Sequence, residues 1–239
     1  MDIIGNGFLA HHLRPLEGAY PQVVTLAAGV PLPQNTAAAY DRETALVDAT
    51  IDRCRHDGRT LVFFSTAAAG MYGNSSGIED EPFTPADEYG RKKRTLEERI
   101  RRSGVRHLLL RLTYIVGSHC RPDRLIPALV GQIRSGRVTV YQGAMRDLLD
   151  VTDFVRILDG LLRADVGQEI VNVASGQSVP IASIVDHLEA RLGMRAERTY
   201  VDVDAPHRVS VAKLSRLLPD LMDFAPDYYR TVIDRYLDA

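Results

Sequence analysis

Asp2-Ile3-Ile4-Gly5-Asn6-Gly7-Phe8-Leu9-Ala10 runs from a short apolar strand through a glycine turn into a segment of helical character. Gly5-x-Gly7-x-x-Ala10 has the spacing of a dinucleotide fingerprint, and its position between strand and helix is the context that reading needs. The first glycine permits the tight turn, and the second lets backbone N–H groups approach a pyrophosphate at the helix N-terminus. Taken alone, an ordinary glycine turn would look the same.

Outward from this turn, short β-branched or aromatic runs alternate with longer segments of helical period, which predicts a parallel sheet with helices on its faces. Strands are expected at Asp2–Gly5, Val23–Ala27, Thr60–Ser65, His107–Leu112, Val138–Tyr141 and Ile170–Ala174. Between them, Ala39, Leu46, Val47, Ile51 and Cys54 mark one face of a crossover helix over Ala38–Arg55. A second such helix is predicted over Tyr89–Ser103, with Gly104 as its stop. After about Thr113, Pro122, Pro127, Gly131, Gly136 and Gly143 break the pattern, and helices near Ala182–Leu192 and Lys213–Leu218 follow. The expected organisation is a Rossmann-like domain over 1–117 and a small substrate lobe over 118–239, with a return strand to the sheet near 138–174. The long loop Gly70–Asp87 falls at a strand end, where open α/β sheets place ligands.

At 239 residues and 45% hydrophobic, the chain can bury a sizeable core. Its 29 basic and 31 acidic side chains leave a net charge of −2, so there is no broad basic field for a nucleic-acid backbone. No apolar run approaches the roughly 20 residues of a membrane span, and the expectation is a cytoplasmic protein without a membrane partner. Cys54 and Cys120 are too few for a disulfide framework and lack a metal-ligand neighbourhood. His11 and His12 are adjacent and so do not face one site on a helix; no metal is expected. His119-Cys120 is likewise adjacency in sequence rather than the spatial pairing that thiol catalysis requires.

Tyr89 and Lys93 stand at i and i+4 on one helix face. That spacing suits a tyrosine acid/base, because a neighbouring ammonium favours the phenolate; an amphipathic surface helix would also produce it. Phe63 to Gly73 is a strand that runs into small and hydroxyl residues, Ser65 and Thr66 among them, before Met71-Tyr72-Gly73.

Taken in order, Gly5-x-Gly7-x-x-Ala10, Leu26-Ala27-Ala28, the Ser/Thr strand ending Met71-Tyr72-Gly73 and Tyr89-x-x-x-Lys93 resemble the extended short-chain dehydrogenase/reductases, the NAD(P)-dependent epimerases, dehydratases and ketoreductases of nucleotide-activated sugars. Arg111-Leu-Thr-Tyr114-Ile-Val-Gly117, Arg146-Asp147-Leu-Leu-Asp150-Val151 and Val171-Asn172-Val173-Ala174-Ser175-Gly176 continue the resemblance toward the C-terminus. It implies catalysis by Tyr89 and Lys93 with Ser65 or Thr66 polarising the reacting carbonyl or hydroxyl. It implies NAD or NADP bound by Gly5, Gly7, Phe8, Leu9, Ala10, Ala27, Ala28, Lys93 and Tyr114. It further implies a homodimer and a nucleotide-sugar substrate met by Tyr72 and by Arg146, although a structural salt bridge from Arg146 to Asp147 or Asp150 would also account for that arginine.

The chain departs from that pattern in four ways. The acidic or basic residue expected about 20 positions past the glycines to read the adenosine ribose is absent. The strand Val23–Ala27 already ends in the Ala-Ala of the family's fourth strand, so about two βα units, roughly 40 residues, are missing after the first. The first strand should then be a sheet edge. The catalytic hydroxyl position, counted back from Tyr72-Gly73, falls on Ala68, and Glu43 stands where the family often has Asn. The expected function is a ketoreductase or epimerase acting on a nucleotide-activated sugar. The alternative is a cofactor-less relative that binds a nucleotide sugar or catalyses a non-redox step. A dehydratase is disfavoured, because Ala67-Ala68 follows Thr66 where dehydratases carry an acidic pair.

Overall fold

Every residue of β3 (Thr60–Thr66) and β4 (His107–Leu112) is buried, as expected of strands covered on both faces. They form the middle of a five-stranded sheet in the computed structural model, which describes residues 1–29 and 36–239. Its order is β1 (Asp2–Ile4), β2 (Val23–Leu26), β3, β4, β7 (Glu169–Val173), all parallel. On one face, α2 (Ala37–Asp57) and α4 (Glu88–Arg102) bring Val47, Ile51, Leu96 and Ile100 against Leu26, Phe63 and Leu109. The opposite face packs Phe64, Leu108, Leu110 and Val171 with Leu13 of α1 (Phe8–Leu13) and Phe154 of α6 (Val151–Arg163).

Both long helices start where local chemistry tells them to. Thr36 accepts from the Ala39 N–H at the start of α2, and Asp87 accepts from the Gly90 N–H at 2.7 Å at the start of α4. The end of α2 is Gly58 in the left-handed region at φ 66°.

The shortened sheet is borne out. Among the described residues β1 pairs only with β2, so the strand that carries the glycine turn is the edge. Asp2 on that edge is held by Arg59 at 2.6 Å and by Arg53, which places charge along the outer side of the edge strand.

The second sheet joins β5 (Tyr114–Val116), β6 (Arg137–Asp150), β8 (Ser178–Pro180) and β9 (Glu197–Ala205). Around it lie α5 (Leu125–Arg134), α7 (Ile181–Leu192), α8 (Ala212–Leu217) and α9 (Tyr228–Leu237). The four-residue element α3 (Ala69–Tyr72) opens the long loop after β3. The expected strand at 138–141 is part of β6, a 14-residue strand of this second sheet; only β7 returns to the main one. Gly143 reads as a break in sequence but is a bulge inside β6, with φ 83° and a register shift between Gln142 and Ala144. A Cβ there would lie 2.2 Å from the Val203 carbonyl oxygen.

Candidate active site

The carboxyl ends of β1 to β4 open onto a cleft of about 920 Å³. Asn6, Gly7, Phe8 and Leu9 line one wall, with Ala27, Ala28 and Gly29 beside them. Gly5 sits at φ 135°, and a Cβ there would be 2.7 Å from the Ala27 carbonyl oxygen, so only glycine lets β1 turn this close to β2. Gly7 precedes α1 with φ −81° and open space where a side chain would be. Ala10 does not reach the cleft: it is fully buried under α1, where the third position of the motif serves helix packing.

Tyr89 and Lys93 both face the cleft from the first turns of α4. Lys93 is 3% exposed, and its Nζ lies 5.7 Å from the centre of the Tyr89 ring. Its principal partner was not foreseen. Nζ donates to Glu43 Oε1 on α2 at 2.7 Å, and Glu43 is itself 3% exposed. Burial opposes the charged ammonium, but Tyr89 and Glu43 outweigh it and hold the Lys93 pKa above its usual value. The field at the Tyr89 hydroxyl is therefore that of a close ion pair and not of a bare cation. Glu43 Oε2 has no hydrogen-bond partner among the described residues.

The hydroxyls do not all arrive where expected. Thr66 lines the cleft, its Oγ1 accepting from the Ala68 N–H at 3.1 Å. Ser65 also borders the cleft, but its Oγ donates to Glu97 Oε1 at 2.5 Å in the core, so its hydroxyl proton is already committed. Ala68 lines the cleft and supplies no hydroxyl. Tyr72 is also displaced from its expected role: it is buried away from the cleft, donates to Asn172 Oδ1 at 2.6 Å and accepts from Arg111 at 2.8 Å. Burial pushes its phenol up to about 12. Tyr114 does line the cleft, and Arg146 lies over its ring at 5.3 Å. Arg146 makes no ion pair with Asp147 or Asp150 among the described residues; it donates to its neighbour's carbonyl, Met145 O, at 2.7 Å.

Several of the sequence motifs are scaffolding. Arg111, fully buried, makes a two-pronged pair with Glu97 at 2.9 and 2.7 Å. Asn172 joins Tyr72 to the Gly77 and Ser210 carbonyls. Asp147 accepts from the N–H groups of Ser175 and Gly176, tying two motifs together. Burial pushes its pKa up to about 6 against those hydrogen bonds. The Asp147 N–H donates to His207 Nδ1 at 3.0 Å, which fixes Nε2 as the protonated nitrogen, and Nε2 donates to the Ala67 carbonyl at 2.7 Å. His207 thus clips the C-terminal lobe to the loop beside Ala68. Burial drives its pKa down to about 4, the Ala67 hydrogen bond opposing and Arg146 assisting. Arg42, Arg121 and Arg124, also unforeseen, line the cleft, Arg121 pairing with Asp123 at 2.8 Å.

The sequence profile of the NAD dependent epimerase/dehydratase family matches residues 15–174. The chain belongs to this family. A UDP-glucose 4-epimerase 4 of Oryza sativa subsp. japonica is 29% identical over an alignment 173 positions long that covers 59% of this chain and 46% of the rice protein. The chain spans about half the length of the curated relatives it matches. Among solved structures, RMD from Pseudomonas aeruginosa complexed with NADPH superposes with a TM-score of 0.81 at 18% identity, covering 99% of this chain and 98% of that one. The dTDP-glucose 4,6-dehydratase of Bacillus anthracis str. Ames in complex with NAD gives 0.76 at 19%, covering 98% of this chain and 78% of the other. These likenesses establish a Rossmann-like epimerase/dehydratase fold. Among the described residues, no helix is long and apolar enough to cross a membrane.

Proposed function

We propose that the chain is an NAD(P)-dependent oxidoreductase, a ketoreductase or epimerase, acting on a nucleotide-activated sugar. The observation that carries this reading is that Tyr89 and Lys93, one helical turn apart, share a single cleft with the Gly5–Leu9 turn.

The residues present fit the pyrophosphate and nicotinamide halves of a dinucleotide. Gly7 offers open space where a side chain would otherwise stand, beside the cleft-lining Phe8 and Leu9. Among the described residues the sheet ends at β1, so none of their strands walls the adenosine half, and NAD is not distinguished from NADP. When bound, the coenzyme supplies hydride exchange at a sugar carbon. Gly7, Phe8, Leu9, Ala27 and Ala28 would bind it, and Lys93 would hold its charge near Tyr89. Tyr89 passes a proton at its hydroxyl to or from the reacting oxygen. Thr66 and Tyr114 line the same cleft, and Arg146 stacks on the Tyr114 ring.

A second reading has specific support: a relative that binds the nucleotide sugar without redox chemistry. Ala68 brings no hydroxyl, the Lys93 charge is balanced by Glu43, and the adenosine wall is missing. Calorimetric titration with NADH and NADPH separates the two, since saturable binding of either supports the first and none supports the second. For the first reading, Tyr89→Phe should fold normally and lose nearly all interconversion of UDP-glucose and its 4-epimer. Wild-type turnover in that variant rules Tyr89 out as the proton carrier.

A further inference from the structure

Lys93 carries its charge where a charge is hard to keep. The residue is 3% exposed, and its Nζ looks onto two aromatic rings, Phe63 of β3 at 5.1 Å and Tyr89 of its own helix at 5.7 Å. An ammonium taken out of water sheds its proton unless an anion stands against it; burial alone lowers a lysine by up to about five pH units.

Two carboxylates are near enough to act, Glu97 and Glu43. Glu97, one turn further along α4, is already matched. Arg111 grips both of its oxygens at 2.9 and 2.7 Å, and Ser65 donates to one of them. Glu43 on α2 has no such engagement: Oε1 accepts from Lys93 Nζ at 2.7 Å, and the enclosed Oε2 has no donor among the described residues. The charge of Glu43 is thus directed at Lys93 alone. A side chain at Gly29 would crowd this contact, its Cβ lying 3.2 Å from both Glu43 Oε1 and Lys93 Nζ. Of the other titratable groups on the surrounding elements, Tyr40 on α2 is a phenol whose pKa burial raises, Lys92 lies over the Tyr40 ring at 5.4 Å, and Arg42 is exposed at the cleft. None of them supplies a second anion.

We propose that Glu43 is the positioning residue that keeps Lys93 an ammonium before any ligand arrives, and so sustains the field in which Tyr89 exchanges its proton. The part played by Tyr89 rests on the reading of the cleft given under the proposed function; the charge on Lys93 does not. An amide in place of Glu43 would offer the same hydrogen bond and no countercharge, leaving a buried cation alone.

The test reads Lys93 directly, in the protein without ligand. With lysine carbon-labelled at Cε, the nuclear magnetic resonance signal that is absent from Lys93→Met reports whether Nζ is ammonium or amine as pH is varied. The expected result is a wild-type signal that stays ammonium-like past about pH 9 and a Glu43→Gln signal that is amine-like by about pH 7, the range of buried lysines without a counter-ion. An ammonium signal in folded Glu43→Gln over the same range as wild type overturns the proposal. If Glu43→Gln does not fold, Glu43→Asp takes its place. Its carboxylate is one methylene shorter and draws back from Nζ, so Lys93 should lose its proton at lower pH than in wild type, and an unchanged titration again overturns the assignment. Turnover is the second readout. In the interconversion of UDP-glucose and its 4-epimer with NAD supplied, kcat of Glu43→Gln should fall about tenfold or more near pH 7.5 and recover as pH is lowered and Lys93 regains its proton. A merely structural loss gives no such profile. Wild-type kcat in a variant whose Lys93 is neutral overturns the positioning role. A wild type without turnover overturns the proposed function instead, and the labelled signal still decides whether Glu43 holds the charge.

Discussion

Replacing His207 by Asn should change how the stability of this protein depends on pH. In the fold His207 is 4% exposed and neutral, with Nδ1 accepting from Asp147 and Nε2 donating to Ala67. Burial lowers its pKa from 6.5 to about 4. Between those values the unfolded chain takes up a proton that the folded chain refuses, so stability is lost as pH falls from 6.5 toward 4. A displacement of about 2.5 pH units at 1.36 kcal/mol each amounts to about 3 kcal/mol near pH 4. Asn at this position can still accept from the Asp147 N–H but has no proton to gain. It should cost stability near pH 7, because the Ala67 carbonyl loses its donor. That deficit should then shrink by about 3 kcal/mol on acidification. Urea unfolding of both proteins from pH 7 to pH 4 measures it directly. A gap between the two curves that stays constant over that range refutes the picture of a buried neutral imidazole.

Asp147 should show the opposite slope. Its folded pKa of about 6 exceeds the ordinary 3.8, so its contribution is complete below 3.8 and is lost as pH rises through 6. Asp147→Asn should therefore improve relative to wild type by about 2 kcal/mol between pH 4 and pH 7 in the same urea assay. Ser65→Ala should cost about 1 kcal/mol of stability by removing one hydrogen bond to Glu97, and should leave ligand affinity measured by calorimetry unchanged. Gly5→Ala should lower stability by about 2 kcal/mol, since a side chain at φ 135° is strained and its Cβ meets a backbone oxygen. Gly7→Ala should leave the melting temperature alone and weaken dinucleotide binding, because its Cβ would enter open space at the cleft.

The main sheet was legible because its strands are short apolar runs separated by helices of clear period, and His107–Leu112 emerges with the boundaries expected. The missing units were legible too, since Ala27-Ala28 came one strand after the glycines instead of three. The second sheet was not. β6 is interrupted by Gly143, which sequence alone cannot distinguish from a turn, while β9 exposes Tyr200 and Val201 and carries no clean alternation. At the site, Tyr89 and Lys93 could be placed because an i, i+4 pair fixes its own geometry. Glu43 stood out as an unusual residue, yet its contact with Lys93 spans 50 positions and depends on how α2 packs on α4. For Ser65 and Tyr72 a motif records which residues recur and not which partners they take: the Ser65 hydroxyl, at the border of the cleft, goes to Glu97, and Tyr72 is buried against Asn172. His207 lies in a stretch of no regular period, and its role is visible only once β6 and the loop after β3 are side by side.

The position of β1 ties two properties together. This three-residue strand has a neighbour on one side only, and the glycine turn begins where it ends. Any fraying of the margin must disturb the glycine turn proposed to cradle a pyrophosphate, and a ligand that grips that turn must zip the margin shut. Ligand capture and local order at the chain's first strand are in this way a single equilibrium, one that a centrally placed first strand would have kept separate.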